Sequence, residues 1–310
     1  MEIFQHQGVV VLDGGLATQL EDHGHKMDSQ LWSAKMLIDS PKEIQLAHRT
    51  FLEAGADCIT TATYQASYEG FARLGLGQSD IDDLLILSVR LAQNAVDEFL
   101  ATDTKCSSSR VRPVVGASIG PYGAFLADGS EYDGQYDINL EELKDFHARR
   151  FMCLATSGAD LLAFETIPSL DETKVLLELL ERVPEITGWM SFSCRDSGHL
   201  CDGTPIETAV ELCKNHERLV GIGINCTAPE FIVDLIARIR SKTDKLILVY
   251  PNSGESWDAQ KKIWKGSELQ GDWVNMAERW HDAGAEIIGG CCRIGPDMIR
   301  LTRERLITKK

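Results

Sequence analysis

Ala283-Gly284-Ala285-Glu286-Ile287-Ile288-Gly289-Gly290-Cys291-Cys292-Arg293 holds in one short stretch a helix end, a buried strand and a pair of adjacent thiols. Glycine at 284 stops a helix, an acidic residue follows, and the apolar Ala285–Ile288 reads as a strand. The same helix-to-strand form occurs at Ala54-Gly55-Ala56-Asp57 and Ser157-Gly158-Ala159-Asp160. Working outward, eight apolar runs are expected as strands: Val9–Leu12, Cys58–Ala62, Pro113–Ala117, Leu161–Phe164, Trp189–Phe192, Val220–Ile224, Leu246–Val249 and Glu286–Ile288. They are continuous rather than alternating, as a parallel sheet covered on both faces requires. Helices are expected between them, over Asp80–Phe99, Leu140–Thr156, Asp171–Arg182, Trp273–Asp282 and Pro296–Arg305. Ser40-Pro41-Lys42-Glu43, Thr204-Pro205-Ile206-Glu207 and Thr227-Ala228-Pro229-Glu230 read as capped helix starts. Eight βα units point to an α/β fold, a single (β/α)8 TIM barrel over residues 1–310, with an open doubly wound sheet as the alternative.

Composition bounds what such a barrel does. The 310 residues carry a formal net charge of −16, which argues against nucleic acid as partner and mildly favours a small cationic substrate. No apolar run approaches the ~20 residues that span a bilayer, and no leader pattern opens the chain, so no membrane partner is expected. Nine cysteines, an odd number without a small-domain disulfide pattern, fit a reducing, cytoplasmic setting. No heptads appear, so monomer is the default.

Strand ends of a barrel converge on one mouth, and several reactive side chains stand there. Adjacent residues of a strand face opposite ways, so Cys291 and Cys292 share one ion only if Gly289 and Gly290 let the backbone turn. Cys226, in Gly223-Ile224-Asn225-Cys226, offers a third thiol 65 positions earlier (291 − 226). That gap is too long for a zinc-finger module, but it suits ligands gathered from two strands. Three thiolates would hold zinc and leave one of its four positions open. Cys58, Cys106, Cys153, Cys194, Cys201 and Cys213 read as ordinary buried thiols. Asp13 follows the first strand directly, reading either as a helix cap or as a site residue. Glu165 ends the fourth strand, where a carboxylate is seldom placed without a partner. Together they suit a substrate's ammonium group. His23-Gly24-His25 lies ten positions past Asp13 (23 − 13) and reads as surface. The long connections 118–139, 194–203 and 250–271 all follow strands and read as a substrate lid.

At this point a family likeness is visible. Asp13-Gly14-Gly15-Leu16-Ala17-Thr18, Trp32-Ser33-Ala34, Thr61-Ala62-Thr63-Tyr64-Gln65-Ala66, Gly120-Pro121-Tyr122-Gly123-Ala124, Glu165-Thr166, Gly223-Ile224-Asn225-Cys226, Tyr250-Pro251-Asn252-Ser253-Gly254 and Gly289-Gly290-Cys291-Cys292-Arg293 resemble the homocysteine S-methyltransferases. The likeness runs nearly the whole chain. Ala127-Asp128-Gly129-Ser130-Glu131-Tyr132 and Arg195–Pro205 resemble the branch using S-methylmethionine or S-adenosylmethionine, whereas Gln65 departs from the aromatic residue of betaine-using relatives. The resemblance implies one zinc per chain on Cys226, Cys291 and Cys292, with the homocysteine sulfur as fourth ligand. It implies that Asp13 and Glu165 hold the homocysteine amino group, and that amides near Gly14 and Gly15, or Thr63, take its carboxylate. Trp32 is expected beside the methyl donor, Asn225 as an orienting residue of the substrate site, and Tyr250 and Asn252 at the mouth. No side chain is expected to act as a nucleophile. Selenocysteine as acceptor, a betaine-type donor, and a barrel whose zinc is purely structural in a binding protein are the alternatives.

Overall fold

The computed structural model describes residues 3, 8–27, 31–102, 110–183, 185–258, 263–265 and 272–307. Cys106 and most of the stretch 259–271 lie outside the described residues. Eight parallel strands form the sheet: β1 Val10–Val11, β2 Cys58–Thr60, β3 Val114–Ile119, β4 Leu161–Ile167, β5 Gly188–Phe192, β6 Leu219–Asn225, β7 Leu246–Tyr250 and β8 Ile287–Ile288. Each is one of the expected runs, shifted by no more than a few residues at its ends. In space they follow the order β1-β8-β7-β6-β5-β4-β3-β2. The ring closes where Leu12 pairs in parallel with Cys58 and the Asp13 N–H donates to the Cys58 carbonyl at 3.0 Å. An open doubly wound sheet is thereby excluded.

Two apolar layers hold the ring. Between strands and helices lies the larger core, in which residues such as Val11, Ile59, Val115, Phe164, Ile222 and Ile288 meet the helices and are essentially inaccessible. Burying each such side chain stabilises the fold by about 1.5–3 kcal/mol. A second cluster closes the barrel axis: Val10, Leu12, Cys58, Val114, Leu161, Ala163, Trp189, Leu248 and Ile287. Trp189 fills that axis because its neighbours are small. A Cβ on Gly116 would lie 3.4 Å from the indole, and one on Gly223 would collide with the Leu248 carbonyl. Counting by twos along each strand from these inward residues reaches Thr60, Ser118, Glu165, Ser191, Asn225 and Tyr250 at the C-terminal end. The upper layer of the barrel is therefore polar, and the lower layers apolar.

The recurring glycine-acid form has a single explanation. Gly55, Gly158 and Gly284 take positive φ values of 113°, 89° and 111° at helix ends. The acid two residues later then accepts from a backbone N–H of the preceding strand. Val11 donates to Asp57 at 3.1 Å, Val115 to Asp160 at 2.7 Å and Ile247 to Glu286 at 3.1 Å. Each acid also meets an arginine. Asp57 meets Arg110 at 2.9 Å and Arg303 at 2.8 Å, Glu286 meets Arg240 at 2.8 Å, and Asp160 meets Arg112 at 3.5 Å. These acids secure the N-terminal end of the barrel.

Helices start after Ser40, Thr204 and Thr227 as expected, at Pro41, Ile206 and Pro229, but the side-chain capping bonds are corrected. Ser40 precedes the helix Pro41–Ala54 but donates to the Asp39 carbonyl, Thr204 turns back to Asp202, and Thr227 donates to the Asn225 carbonyl. The side-chain caps that form are Ser67, Ser169 and the Asn139–Glu142 box.

Candidate metal and substrate site

At the C-terminal mouth the three expected thiols meet. The sulfurs of Cys226, Cys291 and Cys292 all lie within 4.8 Å of one another. Cys226 and Cys291 are joined as a disulfide, and the Cys292 sulfur stands 3.8 Å from the first and 3.9 Å from the second. Cys226 ends β6 in a left-handed conformation (φ 46°), which turns its side chain out of the strand alternation. The turn after β8 is possible because Gly290 packs where a Cβ would strike Ile294, and Gly289 where one would meet the Asp13 carbonyl at 2.8 Å. The thiol pair thus turns to one side, as the two glycines lead one to expect.

With the Cys226–Cys291 bond reduced, Cys226, Cys291 and Cys292 offer three thiol donors from two strand ends, a set that suits a soft divalent ion. Around an ion with ligand bonds of ~2.3 Å, tetrahedral sulfurs stand ~3.8 Å apart, which is the spacing Cys292 keeps from both partners. Burial, with Glu131 adding to it and a backbone N–H opposing it, pushes the Cys292 thiol up to about 12, so the protein alone disfavours a thiolate there. A bound cation would reverse that preference. No fourth protein ligand joins the cluster among the described residues.

The thiols open on a cavity of about 100 Å³. Its charged lining consists of Asp13, Glu21, Glu131 and Glu165, and no lysine, arginine or histidine lines it among the described residues. Asp13 accepts from the Thr60 N–H at 2.8 Å. Burial lifts its carboxyl well above the ordinary range, with Glu165 adding to the rise and Thr60 opposing it. Glu165, on the inward face of β4, accepts from the Ser118 hydroxyl. Burial pushes it up to about 7, while Ser118 and Tyr250 pull it back. Two buried carboxyls that interact with each other and have no cation form a receptor for one.

Asn225 lines the same cavity, and its amide is committed to neighbouring strands. Its oxygen accepts from the Thr166 N–H at 2.7 Å and the Ser191 hydroxyl at 2.8 Å, and its nitrogen donates to the Thr166 hydroxyl at 2.7 Å. It clips β4 to β6 across the end of β5, fixing the backbone beside Glu165 and Cys226. Trp32 lines the opposite wall with φ 45°. Of the five non-glycine residues with positive φ among the described residues, Trp32, Thr166 and Cys226 line the cavity and Arg293 adjoins the thiol pair. Backbone strain is concentrated at this end of the molecule.

Some expected site residues are placed differently. Thr63 is wholly buried, pairing with Thr61 at 2.7 Å and donating to the Ser118 carbonyl at 2.6 Å; Thr61 rather than Thr63 reaches the cavity. The Gly15 N–H is spent on the Ile294 carbonyl at 2.9 Å. Gly14 and Gly15 act instead by close approach, since a Cβ on Gly15 would stand 2.8 Å from the Cys291 carbonyl. Tyr250 lines the cavity, whereas Asn252 accepts from the Gly254 N–H in its own turn. Gln65 turns away and donates to the Ala124 carbonyl at 2.9 Å. His23 and His25 reach Glu43 at 3.4 and 3.6 Å, outside the cavity, as the surface reading requires.

Of the three connections read as a lid, 118–139 supplies Glu131 and Tyr132 to the cavity. The 194–203 segment instead ties down neighbouring loops, its Asp202 accepting from the Leu170 N–H at 3.0 Å. Glu131, Glu21 and Tyr64 were missed as site residues. They stand outside the strands, Glu21 in the helix Leu16–Asp22 and Glu131 in a 3-10 turn, where the alternation of a strand gives no direction, and the only available signal was the placement of these segments after strands.

The family model described as Homocysteine S-methyltransferase matches residues 10–306. The chain is 44% identical to the homocysteine S-methyltransferase YbgG of Bacillus subtilis, over 94% of this chain and 92% of that one. It is 45% identical to a selenocysteine Se-methyltransferase of Brassica oleracea, covering 98% and 90%. The metallated form of the homocysteine methyltransferase MmuM from Escherichia coli superposes with a TM-score of 0.88 at 38% identity, covering 98% of both chains.

Proposed function

The chain belongs to the homocysteine S-methyltransferase family, and from that premise we propose that it transfers a methyl group from a sulfonium donor to the thiolate of L-homocysteine, forming methionine. One observation carries this reading: three cysteine sulfurs converge on a cavity whose charged side chains are all carboxylates. We assign zinc to Cys226, Cys291 and Cys292, since an all-sulfur donor set is soft. Zinc bound there supplies the positive charge that keeps the acceptor sulfur a thiolate at neutral pH, where a free thiol with a pKa of ~8.5 stays mostly protonated.

The remaining work falls to side chains. Asp13 and Glu165 hold the homocysteine ammonium, and the incoming charge stabilises both carboxylates against the burial that opposes their ionisation. Asn225 orients the strand ends that carry Glu165 and Cys226. Trp32 offers its face to the sulfonium, a contact worth ~2 kcal/mol when dry. A water-poor cavity favours the step itself, because thiolate and sulfonium both lose their charge as the methyl group moves. No protein nucleophile or base is needed.

Selenocysteine as acceptor is favoured as a second reading by the Brassica relative. A purely structural zinc would require four protein ligands, and the cluster offers three among the described residues. The test supplies reduced, zinc-loaded protein with homocysteine and, separately, S-methylmethionine, S-adenosylmethionine or betaine. Methionine should form with a sulfonium donor and not with betaine. No methionine from any donor, or faster turnover of selenocysteine than homocysteine, overturns the proposal.

A further inference from the structure

Asp13 and Glu165 account for one cation, but the cavity contains a further carboxylate that the proposed acceptor site leaves unused. Glu131 lines it with 9% exposure, and its Oε2 has no hydrogen-bond partner among the described residues. The residue is built in firmly. It sits in the short 3-10 turn Ser130–Tyr132, which starts at Gly129 with φ 99°. Its carbonyl accepts from the Ser193 hydroxyl at 3.2 Å, and Gly123 packs so tightly on its backbone that a Cβ there would strike the Glu131 nitrogen. A buried carboxylate oxygen held this rigidly and left without a donor is a place for a ligand's donor.

Its place in the fold separates it from the acceptor pair. It belongs to the loop that follows β3, while Asp13 and Glu165 stand at the ends of β1 and β4.

Resting on the methyl-transfer reading, we propose that Glu131 binds the α-ammonium group of the methyl donor and so selects sulfonium donors that are amino acids over cationic donors lacking an ammonium group. Tyr64 and Tyr132 flank the carboxylate in the same cavity and would cover the donor's carbon chain.

The test compares wild-type, Glu131→Gln and Glu131→Asp protein, each zinc-loaded, with S-methylmethionine and with dimethylsulfoniopropionate, which has a sulfonium but no ammonium. Glu131→Gln should raise the KM for S-methylmethionine roughly 30-fold, the loss expected when one partner of a buried charge pair is removed. The KM for homocysteine should move less than about 3-fold, and the kcat/KM preference for S-methylmethionine over dimethylsulfoniopropionate should fall at least about 10-fold. Glu131→Asp, which keeps the charge, should recover part of that preference. An unchanged donor KM, or an equal rise in the homocysteine KM, overturns the proposal. If Glu131→Gln does not fold, N-acetyl-S-methylmethionine with wild-type protein decides: a kcat/KM within about 3-fold of the free amino acid overturns the proposal, and a loss of about 30-fold supports it. Wild-type protein inactive with every donor would instead refute methyl transfer itself.

Discussion

At the N-terminal end of the barrel Asp57, Asp160 and Glu286 each take a backbone N–H and an arginine. At the other end Asp13, Glu131 and Glu165 are buried more deeply than Asp160 and Glu286, yet no arginine, lysine or histidine pairs with them among the described residues. Both sets are acids at strand ends of one ring. What separates them is completeness: the lower acids are satisfied by the chain itself, and the upper ones are left for something that binds. An end built for stability should fail by unfolding when altered. An end built for ligands should lose binding and, in part, gain stability.

The largest expected effect lies at the upper end. Cys292→Ser should lose zinc and lower methionine formation by roughly 10³-fold, since a bound cation is worth several kcal/mol to a developing or retained negative charge. Its circular dichroism melt should stay within a few degrees of wild type. Unfolding of that variant would erase the distinction between the two ends, because the metal would then be structural.

Asp57→Ala should do the reverse. It strands Arg110 and Arg303 and leaves the Val11 N–H without its acceptor. A loss of about 3–5 kcal/mol in denaturant unfolding is expected, with kcat per folded molecule unchanged. Stability within 1 kcal/mol of wild type would break the comparison.

Glu165→Gln is the sharper probe. Homocysteine affinity should fall about 30-fold or more, as removal of one partner of a buried ion pair implies. The substrate-free protein should meanwhile gain on the order of 1–3 kcal/mol at pH 8. The sign follows from the carboxyl lying near 7 when folded, above its unfolded value. Its contribution to stability is fully present below the unfolded value and is lost as pH rises through about 7. Glutamine removes that cost. A variant that loses both affinity and stability would put Glu165 with the lower acids.

The smallest effect is a pH dependence of the wild type. Because an ammonium requires the ionised carboxylate, the Kd for homocysteine should rise as pH falls below about 7, by up to ~10-fold per unit. Titration calorimetry at pH 6 and 8 measures it, together with the proton released on binding. Because ionisation of the thiol on zinc releases a proton of its own, Glu165→Gln is measured beside the wild type, and an identical pH dependence in the two removes Glu165 from the amine site.

Much of this division was legible in the sequence because it rests on local rules. The glycine-acid repeat marked the lower ends of strands, and apolar runs marked the strands themselves. Counting by twos from Leu161 and Ala163 delivers Glu165 to the interior, and from Gly221 and Gly223 it delivers Asn225. Legibility stops where strands stop. After Thr60 nothing in Thr61-Ala62-Thr63 tells which hydroxyl turns inward, and the resemblance favoured Thr63 although Thr61 reaches the cavity. Glu131 escaped notice because its direction is set by Gly123, Gly129 and Ser193, residues whose contacts form only on folding. The helix starts after Ser40, Thr204 and Thr227 were legible, but their side-chain caps were misread for a related reason: a hydroxyl that can cap a helix can also bond within its own turn.

The amide of Asn225 deserves a last consequence. By joining the strand that bears Glu165 to the strand that bears Cys226, it makes the interval between amine receptor and sulfur floor a fixed length. On the proposed reading that interval works as a ruler for acceptors. Homocysteine and cysteine carry the same end groups and differ by one methylene, so an amino acid anchored by its nitrogen either reaches the floor or falls short. Discrimination against the far commoner thiol would then reside in the rigidity of a single side chain that never touches sulfur.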